Sequence, residues 1–88
     1  MNAVLCSQNG CGPCAFAARD LTEAGFEFET RNVRTDENAA QELIALYAAH
    51  RPGLVPTTPV AVIGSEVFFG PVELHQHIRL LARATIAA

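Results

Sequence analysis

The sequence predicts an α/β fold in the order β-α-β-α-β-β-α, a four-stranded mixed sheet flanked by helices. Three observations carry this reading. An apolar run, a helix-forming stretch and an alternating run open the chain; such a β-α-β start implies a right-handed crossover and a parallel strand pair. A β-prone run, Val60-Ala61-Val62-Ile63, meets Gly64-Ser65 and then a second extended run, the pattern of an antiparallel hairpin. Helical periodicity fills the remaining stretches, and helices are what a sheet needs to cover its faces.

Ala3–Cys6 is short and apolar, as a buried strand is. Pro13 to Ala24 reads as a helix, with Pro13 in its first turn, where a missing N–H costs nothing, and Gly25 as its stop. Phe16, Ala17, Asp20, Leu21 and Ala24 lie along one side of it, apolar except for Asp20. Phe26-Glu27-Phe28-Glu29-Thr30 alternates with the period of a half-buried strand. Thr35-Asp36 can cap a second helix that runs to about His50, with Glu37 in its first turn, Leu43, Leu46 and Tyr47 as its apolar stripe, and Pro52-Gly53 beyond its end. Val60–Ile63 looks like a central strand, Gly64-Ser65 like a hairpin turn of the Gly-first type, and Glu66–Phe69 like the partner strand. Gly70-Pro71 opens the last helix, with Leu74, Ile78 and Leu81 at helical spacing; Ala82 to Ala88 is expected to be a fraying tail.

With 88 residues the chain has room for one domain, taken as 1–88. Half of it is hydrophobic and 17% is charged, a globular composition. Net charge is −3, and the cationic residues are six scattered arginines (Arg19, Arg31, Arg34, Arg51, Arg79, Arg83). That excludes a nucleic-acid footprint and a polybasic membrane patch. No apolar run approaches a membrane span, and Met1 to Leu5 lacks the features of a signal peptide. Three cysteines, an odd number, argue against a secreted disulfide framework, so the expected location is the cytoplasm.

The chemistry concentrates at Cys11-Gly12-Pro13-Cys14. The pair sits at the start of the first helix, where unsatisfied N–H groups and the positive end of the helix dipole stabilise a thiolate. The thiolate is the nucleophile in disulfide exchange. At i and i+3 the two side chains share a helix face and come close enough to close a disulfide. That bridge would close too small a loop to stabilise the fold much by chain entropy. Redox exchange is therefore favoured over two other readings, a structural pair and metal or cluster ligation.

With Thr57-Thr58-Pro59-Val60 at the start of the third strand, the chain resembles the thioredoxin fold. Its short form resembles glutaredoxins and the glutaredoxin-like NrdH-type redoxins, over about residues 3 to 81. The resemblance implies a cis-proline at Pro59 facing the cysteines, with Thr58 where the family's Thr-Val-Pro has valine. There are departures. Gly-Pro between the cysteines is usual in thioredoxins, yet the chain has no Trp and Gly10 stands before the motif. Cys6-Ser7-Gln8 replaces the Tyr-Ser-Lys of glutaredoxins, and Phe69-Gly70-Pro71-Val72 replaces a Gly-Gly-x-Asp motif, so two glutathione contacts are missing.

What the resemblance implies is a small dithiol–disulfide oxidoreductase. Cys11 attacks, Cys14 resolves, Gly12 lets the backbone bend past the site, and Pro13 stiffens the turn. Thr58, Pro59 and Gly70 are carried over as substrate-binding positions, the backbone at Thr58 being offered to an extended segment. No bound cofactor is expected. The implied partners are disulfide-containing proteins and an electron donor, either glutathione or a thioredoxin-reductase-type flavoprotein; the chain is expected to be monomeric. A metal- or cluster-binding carrier and a non-catalytic binding module are the alternatives. Cys6 reads as a small buried hydrophobe, or as a third redox thiol, or as a ligand, since Cys6-x4-Cys11-x2-Cys14 matches three of the four plant-type ferredoxin positions. His50 suits a helix C-terminus, and His75 and His77, two apart, should point away from each other. Of Phe68 and Phe69, one is expected in the core and the other at the rim of the active-site groove.

Overall fold

The computed structural model describes residues 2–87, and their side chains as far as residue 84. Its elements are β1 (Asn2–Ser7), α1 (Gly12–Glu23), β2 (Glu27–Asn32), α2 (Glu37–His50), β3 (Val60–Ile63), β4 (Glu66–Phe69) and α3 (Pro71–Ala87). The sheet order is β2-β1-β3-β4. β1 runs parallel to β2 and antiparallel to β3, and β3 is antiparallel to β4. This is the thioredoxin-type α/β architecture with a four-stranded mixed sheet that the sequence predicts.

Period-two alternation decides which side chains meet which helix. Ala3 and Leu5 of β1 and Ala61 and Ile63 of β3 join Ala17 and Leu21 of α1 and Leu74 and Ile78 of α3 in one buried cluster. Cys6 and Val60 join Leu43 and Tyr47 of α2 in a second, smaller one. The sheet lies between the two. Leu5, Leu21 and Leu74 are fully buried, and each such side chain contributes about 1.5–3 kcal/mol of transfer free energy.

Several boundaries depart from the pattern in the sequence. β2 begins at Glu27 and runs to Asn32, because it pairs residue by residue with β1, from Asn2↔Glu27 to Ser7↔Asn32. Ladder pairing carries it past the alternating run. The residues from Ala82, expected as a fraying tail, continue α3 to Ala87; Ala88 lies outside the described residues. Leu80-Leu81-Ala82-Arg83-Ala84 are strong helix formers with no Gly or Pro among them, so nothing stops the helix there. Phe16, expected on the buried side of α1, is 44% exposed, and Ala24 is exposed. The helix buries Ala17 and Leu21 of that side, and Cys14 with them, at spacings of three and four. The Gly64 turn is as predicted: Gly64 has φ +61°, and no described non-glycine residue has positive φ.

Candidate redox site

Four local features converge at one end of the sheet. The first is the N-terminus of α1. Cys11 is its N-cap, with extended backbone (φ −95°, ψ 107°), and its carbonyl accepts the first helical bond from the Ala15 N–H at 3.1 Å. Cys11 Sγ accepts a hydrogen bond from the Cys14 N–H at 3.2 Å. The sulfur thus takes the place that a serine or aspartate oxygen takes at other helix starts. Gly12 and Pro13 follow, both exposed, with Pro13 in the first turn as expected.

The second is the cysteine pair. Cys11 and Cys14 form a disulfide with Cα atoms 5.2 Å apart. Cys11 is half-buried, whereas Cys14 is 2% exposed. Of the two, Cys11 is the more accessible.

The third is the loop before β3. The Thr58–Pro59 peptide is cis. Thr58 Oγ1 donates to Cys11 Sγ at 3.9 Å, a long contact even for the large sulfur atom. Tyr47 Oη of α2 donates to the Thr57 carbonyl at 3.3 Å, and the Gly70 N–H donates to the Pro59 carbonyl at 2.9 Å. The loop is thus tied to α1, α2 and the start of α3 at once. Gly70 has φ +92°, in the left-handed region that favours glycine. The sequence-predicted positions Cys11, Gly12, Pro13, Cys14, Thr58, Pro59 and Gly70 are therefore gathered in one place. The hydroxyl contact of Thr58 to the sulfur is new to the structure; its signal in the sequence was the threonine standing where the family has valine.

The fourth is the β1–α1 loop. A concavity beside Cys11 is lined by Ser7 at the end of β1, by Gln8, Asn9 and Gly10 on the loop and by Gly12 and Ala15 on the helix. Arg34 Nε donates to Gln8 Oε1 and Asn32 Nδ2 to Asn9 Oδ1, both at 3.0 Å. Sequence reading missed this lattice, whose partners lie on either side of α1 in the chain.

Cys6 stands apart. It faces α2 and is 1% exposed, while α1, which carries the disulfide, packs on the opposite face of the sheet. Burial pushes the Cys6 thiol pKa up; Glu42 adds to the rise and Arg31 opposes it. Among the described residues no group of three or more His, Cys, Asp and Glu side chains is arranged to hold a metal ion. His75 Nδ1 lies 2.9 Å from Asp20 Oδ2 on α1, whereas His77 stacks on Phe68 of β4, so the two do point apart. Phe68 and Phe69 differ from expectation. Both are half-buried, Phe68 on the α1/α3 cluster and Phe69 edge-on to Tyr47, because the last strand has a helix-covered core on each face.

Comparison with known proteins agrees with this geometry. The family profile described as Glutaredoxin matches residues 3–68. The chain belongs to the glutaredoxin family. Among solved structures, the Escherichia coli glutaredoxin-like protein NrdH-redoxin is 27% identical, with a TM-score of 0.72 over 92% of this chain and 95% of that one. Glutaredoxin C1 from Populus tremula x tremuloides, in its holo form, is also 27% identical, with a TM-score of 0.68 over 91% of this chain and 72% of that one. A buckwheat glutaredoxin–glutathione complex shares the fold at 19% identity, with a TM-score of 0.73 over 88% of this chain and 67% of that one. A comparison with curated protein sequences gives no match. Family membership and a cysteine pair in disulfide contact identify a thiol–disulfide oxidoreductase at the general level. No helix among the described residues is long and apolar enough to cross a membrane.

Proposed function

We propose that this glutaredoxin-family chain reduces disulfides in proteins or small molecules by a two-thiol mechanism, with Cys11 attacking and Cys14 resolving. The observation that carries the reading is the asymmetry of the pair: one sulfur half-exposed and capping a helix, the other buried one turn in. In the reduced protein the Cys11 thiolate attacks one sulfur of the substrate disulfide. A Cys11–substrate bond forms, and the other substrate sulfur leaves as a thiolate and takes up a proton. Cys14 then loses its proton, attacks Cys11 Sγ and expels the second substrate thiolate. Two electrons and two protons pass to the substrate, and the Cys11–Cys14 disulfide remains.

Thr58 and Pro59 would hold the substrate backbone. Among the described residues no hydrogen bond uses the Thr58 N–H or carbonyl, which leaves both for an extended segment. Gly70, bonded to Pro59, would keep that edge close and unobstructed. No prosthetic group is needed. The donor is proposed to be a protein reductase or a small thiol in preference to glutathione. Gln8 and Val72 stand where glutathione contacts are carried in the family, and Leu54 and Val55 before the cis-proline and Val72 after Gly70 are exposed and apolar. Such residues suit a protein surface. The Escherichia coli relative is described as a glutaredoxin-like protein with a thioredoxin-like activity profile. The proposed setting is a monomer in the cytoplasm, where a free thiol such as that of Cys6 persists.

The test is a pair of variants assayed for NADPH consumption, once with thioredoxin reductase and once with glutathione plus its reductase. Cys11→Ser should abolish disulfide reduction, and Cys14→Ser should accumulate a mixed disulfide visible by mass spectrometry. Retention of full dithiol activity in Cys11→Ser would sink the assignment. Turnover with glutathione and none with thioredoxin reductase would overturn the preference for a protein donor.

A further inference from the structure

We propose that the Thr58 hydroxyl is a catalytic group that stabilises the Cys11 thiolate, setting the reactivity of the pair in this chain. The proposal rests on Cys11 being the attacking thiol. Three observations support it. Thr58 Oγ1 donates to Cys11 Sγ, and Cys11 Sγ is the partner that this hydroxyl has among the described residues. The residue is 9% exposed, so the bond has little competition from water. The loop that carries it is fixed by Tyr47 and Gly70, which keeps the hydroxyl near the sulfur without a further ordering cost.

The sign of the effect follows from what the sulfur becomes. In the disulfide it is a weak acceptor. On reduction and loss of its proton it carries a full charge, and hydrogen bonds to charged acceptors are roughly twice as strong as neutral ones. The bond therefore favours the thiolate over both the thiol and the disulfide. A hydrogen bond to the charged form of an acid lowers its pKa. The Cys14 N–H already supplies one donor to the same sulfur. Thr58 adds a second from a different element, 47 residues away in the chain. Valine, the family residue at this position, has the same branched shape and no donor, so the threonine is the one atom's difference that adds the bond.

The experiment compares wild type with Thr58→Val, Thr58→Ser and Thr58→Ala. Cys11 alkylation by iodoacetamide in the reduced proteins is followed against pH, with the modified residue located by mass spectrometry. Thr58→Val should raise the Cys11 pKa by about one unit, which means about tenfold less thiolate at a pH below both values. Thr58→Ser, which keeps the hydroxyl, should stay close to wild type. The potential of the pair should move in Thr58→Val toward more reducing values, since the reduced state loses a stabilising contact; a tenfold change corresponds to about 30 mV. Should Thr58→Val fold poorly, Thr58→Ala decides the matter in its place. A Cys11 titration that is depressed in wild type and unchanged in Thr58→Val, or in Thr58→Ala if that variant is used, overturns this proposal and leaves the two-thiol mechanism standing. A wild-type Cys11 that titrates at the ordinary thiol value of about 8.5, with no turnover, overturns the mechanism itself.

Discussion

At the scale of single residues, the three cysteines are separated by environment and not by chemistry. Cys11 caps a helix start, Cys14 is its buried disulfide partner, and Cys6 is a small apolar side chain on the far face of the sheet. The first two were legible because N-capping and i, i+3 spacing are local. The separation of Cys6 was not, since its distance from the pair in sequence says nothing about which face of a strand it takes; that needs the register of β1 against β3, Cys6↔Val60. Burial keeps the Cys6 thiol protonated above the ordinary thiol range in the folded chain. A pKa raised by folding contributes stability that is present below the unfolded value and is lost as pH rises through the folded one. The wild-type urea midpoint should accordingly fall as pH is taken from neutral into the alkaline range. Cys6→Ala should lower the midpoint at neutral pH, by about 1 kcal/mol of stability, and flatten that alkaline decline. An equally steep decline in Cys6→Ala would assign the pH dependence to another group.

At the scale of elements, the hairpin was the most legible part. Val60–Ile63, Gly64-Ser65 and Glu66–Phe69 coincide with β3, the turn and β4, because turn chemistry and β-propensity agree there. The helix–helix seam was the least legible. Asp20 interrupts the apolar side of α1, and from the sequence it has no evident partner. In the fold its side chain is 12% exposed, and Oδ2 lies 2.9 Å from Nδ1 of His75 on α3; Phe16 meets the same imidazole at 5.8 Å between centroids. The polar residue thus adds a hydrogen-bonding contact to the apolar packing of Ala17 and Leu21 on Leu74 and Ile78 that holds the helix bearing the cysteines on its neighbour. Asp20→Ala should cost about 1 kcal/mol, the net worth of one partly buried hydrogen bond, read as a lower thermal midpoint. His75→Ala should cost a similar amount. The double variant should cost clearly less than the sum, because both changes remove one interaction. Strict additivity would mean that the two side chains do not couple.

At the scale of the whole molecule, the sheet carries two cores of unequal size, and the site is built across both. Cys11 and Cys14 stand on α1, over the larger cluster with Leu5, Leu21, Leu74 and Ile78. The cis-proline loop is anchored partly from the smaller side, through Tyr47 of α2, whose ring packs on Phe69 and whose hydroxyl holds the Thr57 carbonyl. α2 buries only Ala39, Leu43 and Tyr47, and ion pairs of Arg31 with Asp36 and Glu42 tie its outer face to β2. Half-exposed pairs of this kind contribute little. The side of the molecule that anchors the cis-proline loop is therefore less strongly held than the side that carries the cysteine pair. Local opening free energies follow buried apolar contact, so α2 should open well below the global unfolding free energy. Leu43→Ala should remove about 2–4 kcal/mol of stability. Followed by amide hydrogen exchange, it should speed exchange across α2 and at Gly70, whose N–H bonds the Pro59 carbonyl of the loop, while the amides of α1 keep their protection against that local opening. If α1 loses protection in step with α2, the two faces of the sheet open as one unit, and the cis-proline loop has no independent motion relative to the cysteines.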